Sequence, residues 1–159
     1  MPITYQPIGV IHSPFTTTEG MPIQPAGAAG VEGTVQVLEE FAEGLKDLGG
    51  FSHIMLLYHF HGSSGFNLSV KPFLDDTEHG LFATRAPRRP NPIGVSVVKL
   101  IRVDGRVLHV ENVDILDGTP LLDIKPYVPE FDDHPADRIG WLANARGRVK
   151  SKRSDKRFK

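Results

Sequence analysis

The sequence predicts a mainly β protein, an antiparallel or mixed barrel with little helix. Three observations support this. Val31, Gly33, Val35 and Val37 alternate with Glu32, Thr34 and Gln36, the period of a half-buried strand. Short apolar runs recur along the chain with Gly, Pro and Asp-Gly turn signals between them. Helical spacing is confined to two short stretches.

Taken in chain order, the first strand is expected in "ITYQPIGVIHS", with Ile8, Val10 and His12 on one face and Gly9 and Ile11 on the other. The second is "VEGTVQVLEEF". A helix is expected in "LEEFAEGLKDLGGF", where Phe41, Leu45 and Leu48 recur at helical spacing, Gly49-Gly50 offers a stop, and the segment covers one end of a sheet. "HIMLLYHFHG" is a continuous apolar and aromatic run, expected as a central strand buried on both faces. "GLFATR" and "GVSVVKLIRV" read as strands on either side of a proline-rich turn. Asp104-Gly105 between apolar runs predicts a hairpin into "GRVLHVENVDIL". "PLLDIKPYV" is the last short strand, and "ADRIGWLANA" a short C-terminal helix. Residues 13–30 and 62–80 read as long loops, the first a candidate functional lid.

The bulk numbers bound the function. At 159 residues, 40% hydrophobic and 23% charged, the chain suits one globular domain. No apolar run approaches the ~20 residues of a membrane span, so no membrane role is expected. Cysteine is absent, which excludes disulfides and thiolate metal sites and fits a reducing cytoplasm. Charge is unevenly spread. Residues 144–159 hold eight Lys/Arg and one acid, a net +7, against –8 for the rest. The expected division is a domain at 1–143 and a basic tail at 144–159, and such a tail suits a polyanion such as nucleic acid.

No dinucleotide-binding, phosphate-loop or nucleophile-elbow motif is present. Three groups of residues remain. His59 and His61 alternate in "YHFHG" and would share a strand face, a pair that with an Asp could hold zinc in a metal-dependent hydrolase. "VDILDGTPLLDIKPY" places Asp117 in a turn sequence and lines up Asp123, Lys125 and Tyr127 on one strand face, where a base and a phenol could act on a substrate. "TRAPRRPNPIG" fixes Arg85, Arg88 and Arg89 on a proline-stiffened turn, and arginine forks suit carboxylate or phosphate.

The motifs "IGVIHSPF", "FSHIMLLYHFH", "LFATRAPRRPNPIGVS" and "DILDGTPLLDIKPYVPEFD" resemble those of the TrmO (YaeB, TsaA-like) family of tRNA methyltransferases, in order from about Ile8 to Asp133. The resemblance implies a single-sheeted β-barrel with one or two short helices and long functional loops. It also implies S-adenosylmethionine as donor, a homodimer, and methylation of N6 of threonylcarbamoyl-adenosine beside the tRNA anticodon, at position 37. Carried over by position, the cofactor site would comprise Pro22, Ile23, Gln24, Phe60, His61, Arg85, Val95, Asp117, Gly118, Thr119 and Pro120. Val95 stands where the family more often has leucine. The expected catalytic residues are Asp123, Lys125 and Tyr127. Arg88, Arg89, Arg146, Arg148, Lys150, Lys152 and Arg153 are expected to contact the anticodon-loop RNA. Longer bacterial relatives carry a further C-terminal domain, and the resemblance implies the short archaeal-type form for this chain. The competing readings are a non-catalytic RNA-binding barrel and a small-molecule methyltransferase.

Overall fold

A computed structural model describes residues 1–22 and 25–145. Eight strands form: β1 Gly9–His12, β2 Glu32–Val37, β3 His53–His59, β4 Ser69–Val70, β5 His79–Gly80, β6 Ile93–Asp104, β7 Val107–Glu111 and β8 Thr119–Pro126. Six of them close into an all-antiparallel barrel in the order β1-β2-β7-β6-β3-β8, with β8 returning to pair with β1. β4 and β5 make a small separate ribbon. The single-sheeted barrel implied by the family resemblance is therefore present.

Period-two patterning places one face of each strand inside. Ile11, Val35, Val37, Ile54, Leu56, Tyr58, Val98, Leu100, Leu108, Val110 and Leu121 fill the interior. β3 departs from the expectation of burial on both faces. Ile54, Leu56 and Tyr58 are buried, while Met55, Leu57 and His59 are only half-buried. A one-layer barrel has a single dry face, so the outward half of this apolar run stays partly exposed.

The hairpin at Asp104-Gly105 forms as expected. Asp104 opposes Val107, and Gly105 takes φ 59°, the left-handed conformation this turn requires. The expected helix over 38–51 is instead two 3₁₀ segments, Glu39–Leu45 and Leu48–Gly50. Asp47, at φ 69°, breaks the run, and no side chain caps Leu38. Phe41, Leu45 and Leu48 still close one barrel end against the core. "GLFATR" is a 3₁₀ turn, Leu81–Ala83, rather than a strand. Thr84 Oγ1 donates to the Leu81 carbonyl at 2.7 Å, which favours a turn over a ladder. The last expected helix is also 3₁₀, at Gly140–Ala145, and docks on the second long loop. Trp141 Nε1 donates to the Ala83 carbonyl at 2.8 Å and its ring stacks on His79. A four-residue helix at Pro129–Asp132, α1, was not expected. It begins on a proline, and Asp132 accepts the Val128 N–H at 2.8 Å.

Gly94 shows how tightly one part of this barrel is built. A Cβ there would collide with the Tyr58 ring and lie 2.7 Å from the Phe60 ring. The two rings meet edge to face at 5.5 Å across the position that Gly94 leaves open. Gly94→Ala is expected to cost about 1–3 kcal/mol, read as a lower denaturant midpoint with an unchanged slope. A midpoint equal to wild type would show that the rings have room to move.

Candidate functional site

The antiparallel register brings the C-terminal end of β1, the C-terminal end of β3, and the starts of β6 and β8 to one end of the barrel. The segment 112–118 closes this end, with Val113 and Ile115 buried. Backbone bonds fasten it. Gly118 N–H donates to Ile11 O at 2.9 Å, and Asp117 N–H donates to Phe15 O at 2.7 Å. The Asp117 carboxylate accepts from the Ser13 N–H at 3.1 Å and from His12 Nδ1–H at 3.2 Å. The Ser13 backbone bond, followed by His12, holds this carboxyl below the usual range. Thr119, buried, donates its hydroxyl to Leu116 O at 2.6 Å. The Thr119 hydroxyl oxygen is then the acceptor for His61 Nδ1–H at 3.3 Å. The turn 117–119 thus ties the first loop to His61.

His61 does not continue β3. Its N–H turns back to the His59 carbonyl at 2.8 Å, so the two imidazoles do not share a strand face. Among the described residues, no group of three or more His, Asp or Glu is arranged to hold a metal ion.

A polar chain runs from the barrel interior to the same end. Ser96 Oγ donates to Asp114 Oδ1 at 2.7 Å, which leaves the Ser96 oxygen to accept from Tyr58 Oη–H at 2.8 Å. Burial pushes the Asp114 carboxyl up to about 6, opposed by the Ser96 bond and by the Arg85 charge. Burial, and then the Asp114 charge, also push the Tyr58 phenol above its usual value. Arg85 is exposed, and its field reaches both Asp114 and Tyr58. Sequence patterning missed this chain. The available signals were a serine at an inward position of β6 and an acid between two buried apolar residues.

The arginines of the proline-rich turn have different surroundings. Arg89 Nη1 donates to the carbonyls of Thr84 at 2.9 Å and Ala86 at 3.1 Å, and its guanidinium lies over the Phe82 ring at 5.8 Å. It holds the turn's shape. Arg88 is half-buried, and its Nε has no hydrogen-bond partner among the described residues.

The expected site residues divide into two groups. Phe60, His61, Asp117, Gly118, Thr119 and Pro120 gather at the barrel end just described, where Pro120 opposes Val10, and the Arg85 charge acts on Asp114 there. Pro22, in the first loop, is buried. Val95, Asp123 and Lys125 instead lie on the outer wall, and Tyr127 follows the same strand. A bulge explains this placement. Tyr58 pairs with Leu121 but Leu57 pairs with Asp123, so Leu122 is the extra residue. The bulge turns Asp123 outward and brings Ile124 in against the core. Asp123 Oδ2 and Lys125 Nζ form an exposed ion pair at 3.0 Å, and the Tyr127 ring meets His53 edge-on at 6.3 Å. Val95 opposes Leu57, which opposes Asp123, so one row crosses β6, β3 and β8. Ile23, Gln24, Arg146, Arg148, Lys150, Lys152 and Arg153 lie outside the described residues.

Asp114 gives a pH signature. Its folded value, about 6, exceeds the ~3.9 of an unfolded aspartate. The native state therefore binds its proton more tightly, and this group's contribution to stability is lost as pH rises from about 4 to about 6. Asp114→Asn is expected to gain about 1–3 kcal/mol over wild type above pH 6 and nothing below pH 4. Melting curves across that range check it, and an equal gain at both ends would refute the assignment.

Comparison with known proteins places this geometry in a family. The sequence profile of the tRNA-methyltransferase O N-terminal domain matches residues 10–133. A probable S-adenosyl-L-methionine-binding protein of Pyrococcus abyssi is 56% identical over 156 residues, 98% of this chain and 85% of that protein. The mouse tRNA (adenine(37)-N6)-methyltransferase is 36% identical over 134 residues, 80% of this chain but 31% of that enzyme. The crystal structure of TrmO from Pseudomonas aeruginosa superposes with a TM-score of 0.74 at 40% identity, covering 89% of this chain and 63% of that one. This chain thus spans about a third of the mouse enzyme and under two thirds of the bacterial one. With a matching profile over most of its length and the same barrel, the chain belongs to the tRNA-methyltransferase O N-terminal-domain family.

Proposed function

We propose that this protein is an S-adenosylmethionine-dependent tRNA methyltransferase acting on N6 of threonylcarbamoyl-adenosine at position 37. The observation that carries this reading is the convergence, at one barrel end, of residues from three of the sequence motifs: His61, Arg85 and the turn 117–120. The end suits the donor chemically. It offers a cation in Arg85, an acid in Asp114, fixed polar groups at Asp117 and Thr119, and the half-buried aromatic surface of Phe60. Pro22, Ile23, Gln24, Phe60, His61, Arg85, Val95 and residues 117–120 would hold the donor. When bound, it supplies an electrophilic methyl group.

The remaining work falls to side chains. The carbamoyl group withdraws the N6 lone pair, so the nitrogen becomes reactive as its proton leaves. We assign that proton to Asp123, with Tyr127 beside it and Lys125 as the neighbouring cation. These groups lie on the wall outside β6, β3 and β8, where Val95 is 51% and Ile93 41% exposed beside half-buried Met55, Leu57 and Val97. A second copy covering this apolar wall would bring one copy's Asp123 row to the border of the site. This supports a homodimer as the working unit.

The anticodon loop presents unstacked bases, so no duplex need melt. Arg88 and the basic tail, with Arg89 shaping the turn, would meet RNA phosphates and make binding salt-sensitive. Among the described residues, no helix is long and apolar enough to cross a membrane. A tRNA substrate is consistent with the cytoplasm.

The direct test is mass spectrometry of tRNA nucleosides after incubation with the protein and isotopically labelled S-adenosylmethionine. Labelled methyl on N6 of threonylcarbamoyl-adenosine is expected. Donor binding without tRNA labelling would favour a small-molecule methyltransferase, and no donor binding a non-catalytic RNA-binding barrel. For the base, Asp123→Ala is expected to slow single-turnover transfer about 100-fold or more, and Tyr127→Phe by less. Near wild-type rates in both variants would exclude these residues from proton removal.

A further inference from the structure

The 3₁₀ turn Leu81–Ala83 carries an aromatic ring on its outside. Phe82 is 74% exposed, although Leu81 and Thr84 on either side are buried. Exposure alone says little, since single apolar side chains are common at protein surfaces. Phe131 is 72% exposed and has no cation over its ring among the described residues. The surroundings of Phe82 differ. Leu81 N–H donates to Leu68 O at 2.9 Å, and Thr84 N–H and Oγ1 both reach Leu81 O, at 3.0 and 2.7 Å. Trp141 Nε1 donates to Ala83 O at 2.8 Å. Arg89 ties the turn through Thr84 O and Ala86 O and lays its guanidinium over the Phe82 ring, 5.8 Å from the centroid. These carbonyls occupy Arg89 donors without cancelling its charge, and no carboxylate pairs with it among the described residues. The guanidinium takes one side of the ring, and the remaining exposure leaves room for a second planar group. The same segment leads into the candidate site, where Phe60 N–H donates to Pro92 O at 2.8 Å. Trp141, bonded to the turn, stands just before the basic stretch 144–159.

We propose that Phe82, backed by Arg89, is a stacking platform for an unpaired RNA base that flanks the methylated one. This rests on the tRNA reading above and adds to it a residue that touches a base rather than a phosphate or the donor. Every base has a π-face, and a base lifted out of a loop loses stacking that an aromatic ring restores. The ring is presented on a braced turn, so little order is lost when a base lies on it. Charge selects this occupant. A second copy covering Phe82 with an apolar surface would desolvate the Arg89 charge without pairing it. A nucleotide brings its own phosphate.

Filter-binding of the full chain tests this with two RNA probes, an anticodon stem–loop hairpin and a fully paired duplex of the same length. Phe82→Ala is expected to weaken the hairpin about 5- to 100-fold. The duplex offers no free base, so its binding should stay within about twofold of wild type. Phe82→Trp should keep hairpin affinity, because it keeps a π-face. Phe82→Leu should lose most of it, because it keeps only apolar bulk. The dependence of hairpin affinity on salt should have the same slope in Phe82→Ala as in wild type, since no phosphate contact is removed. An exposed ring contributes little to folding, and S-adenosylmethionine binding by calorimetry should be unchanged in every variant. Equal losses on hairpin and duplex, or a loss of donor binding, would mean a structural role and overturn the proposal. Full affinity in Phe82→Leu would reduce the contact to plain apolar burial and overturn the stacking. A smaller assembly mass for Phe82→Ala in sedimentation would assign the ring to a second copy of the chain, again overturning it. Unchanged hairpin affinity in Phe82→Ala, with wild type binding intact, would sink this inference and leave the tRNA reading standing. Failure of wild type to bind the hairpin would remove both.

Discussion

Closure of the barrel by β8 against β1 is the interaction on which the rest depends. Ile11 opposes Thr119 and Gly9 opposes Leu121, and the Gly118 N–H extends the ladder to Ile11 O. These bonds join the two ends of the sheet and remove its free edges. They also set the depth of the turn 117–119, because Thr119 is both the first residue of β8 and the contact for His61. Everything at the candidate site is positioned from that seam. The first loop is held by Asp117 through Ser13 and Phe15, and the segment carrying Asp114 is plugged in just before it.

A single-layer barrel has one dry face, and this constraint sorts the remaining residues. Aliphatic side chains fill the interior, and the polar groups admitted to it are bonded. Ser96 and Thr119 each reach a partner within hydrogen-bond distance. An unbonded hydroxyl there would cost about 1–3 kcal/mol. The bulge at Leu122 exchanges which residues face in. It lets a strand whose first half buries Leu121 present Asp123 and Lys125 to the outside in its second half. The two expected halves of the function therefore lie on different surfaces of one copy, joined only by the row from Val95 to Asp123.

Much of the fold was legible along the chain. Strict alternation located β2, and Asp104-Gly105 located the β6–β7 hairpin, because both signals are local. The motif residues at the barrel end were legible through their resemblance to a known family. The helices were misread, since spacing alone cannot separate a 3₁₀ segment from an α-helix when Asp47 and paired glycines interrupt it. Burial of β3 on both faces was misread as well, because an apolar run does not show how many layers will cover it. Arg89 looked like a free cation in the sequence, and its three-dimensional position spends it on backbone carbonyls.

The sequence by itself determined the strands of the barrel, the stiff arginine-bearing turn and the family, since periodicity, proline and long motifs act through neighbours in the chain. Only the tertiary structure decided that Tyr58, Ser96 and Asp114 form one chain and that Asp123 points away from it. Those facts depend on sheet register and on a one-residue bulge. A shift of one residue exchanges inside for outside, and contacts between strands far apart in the chain set that register.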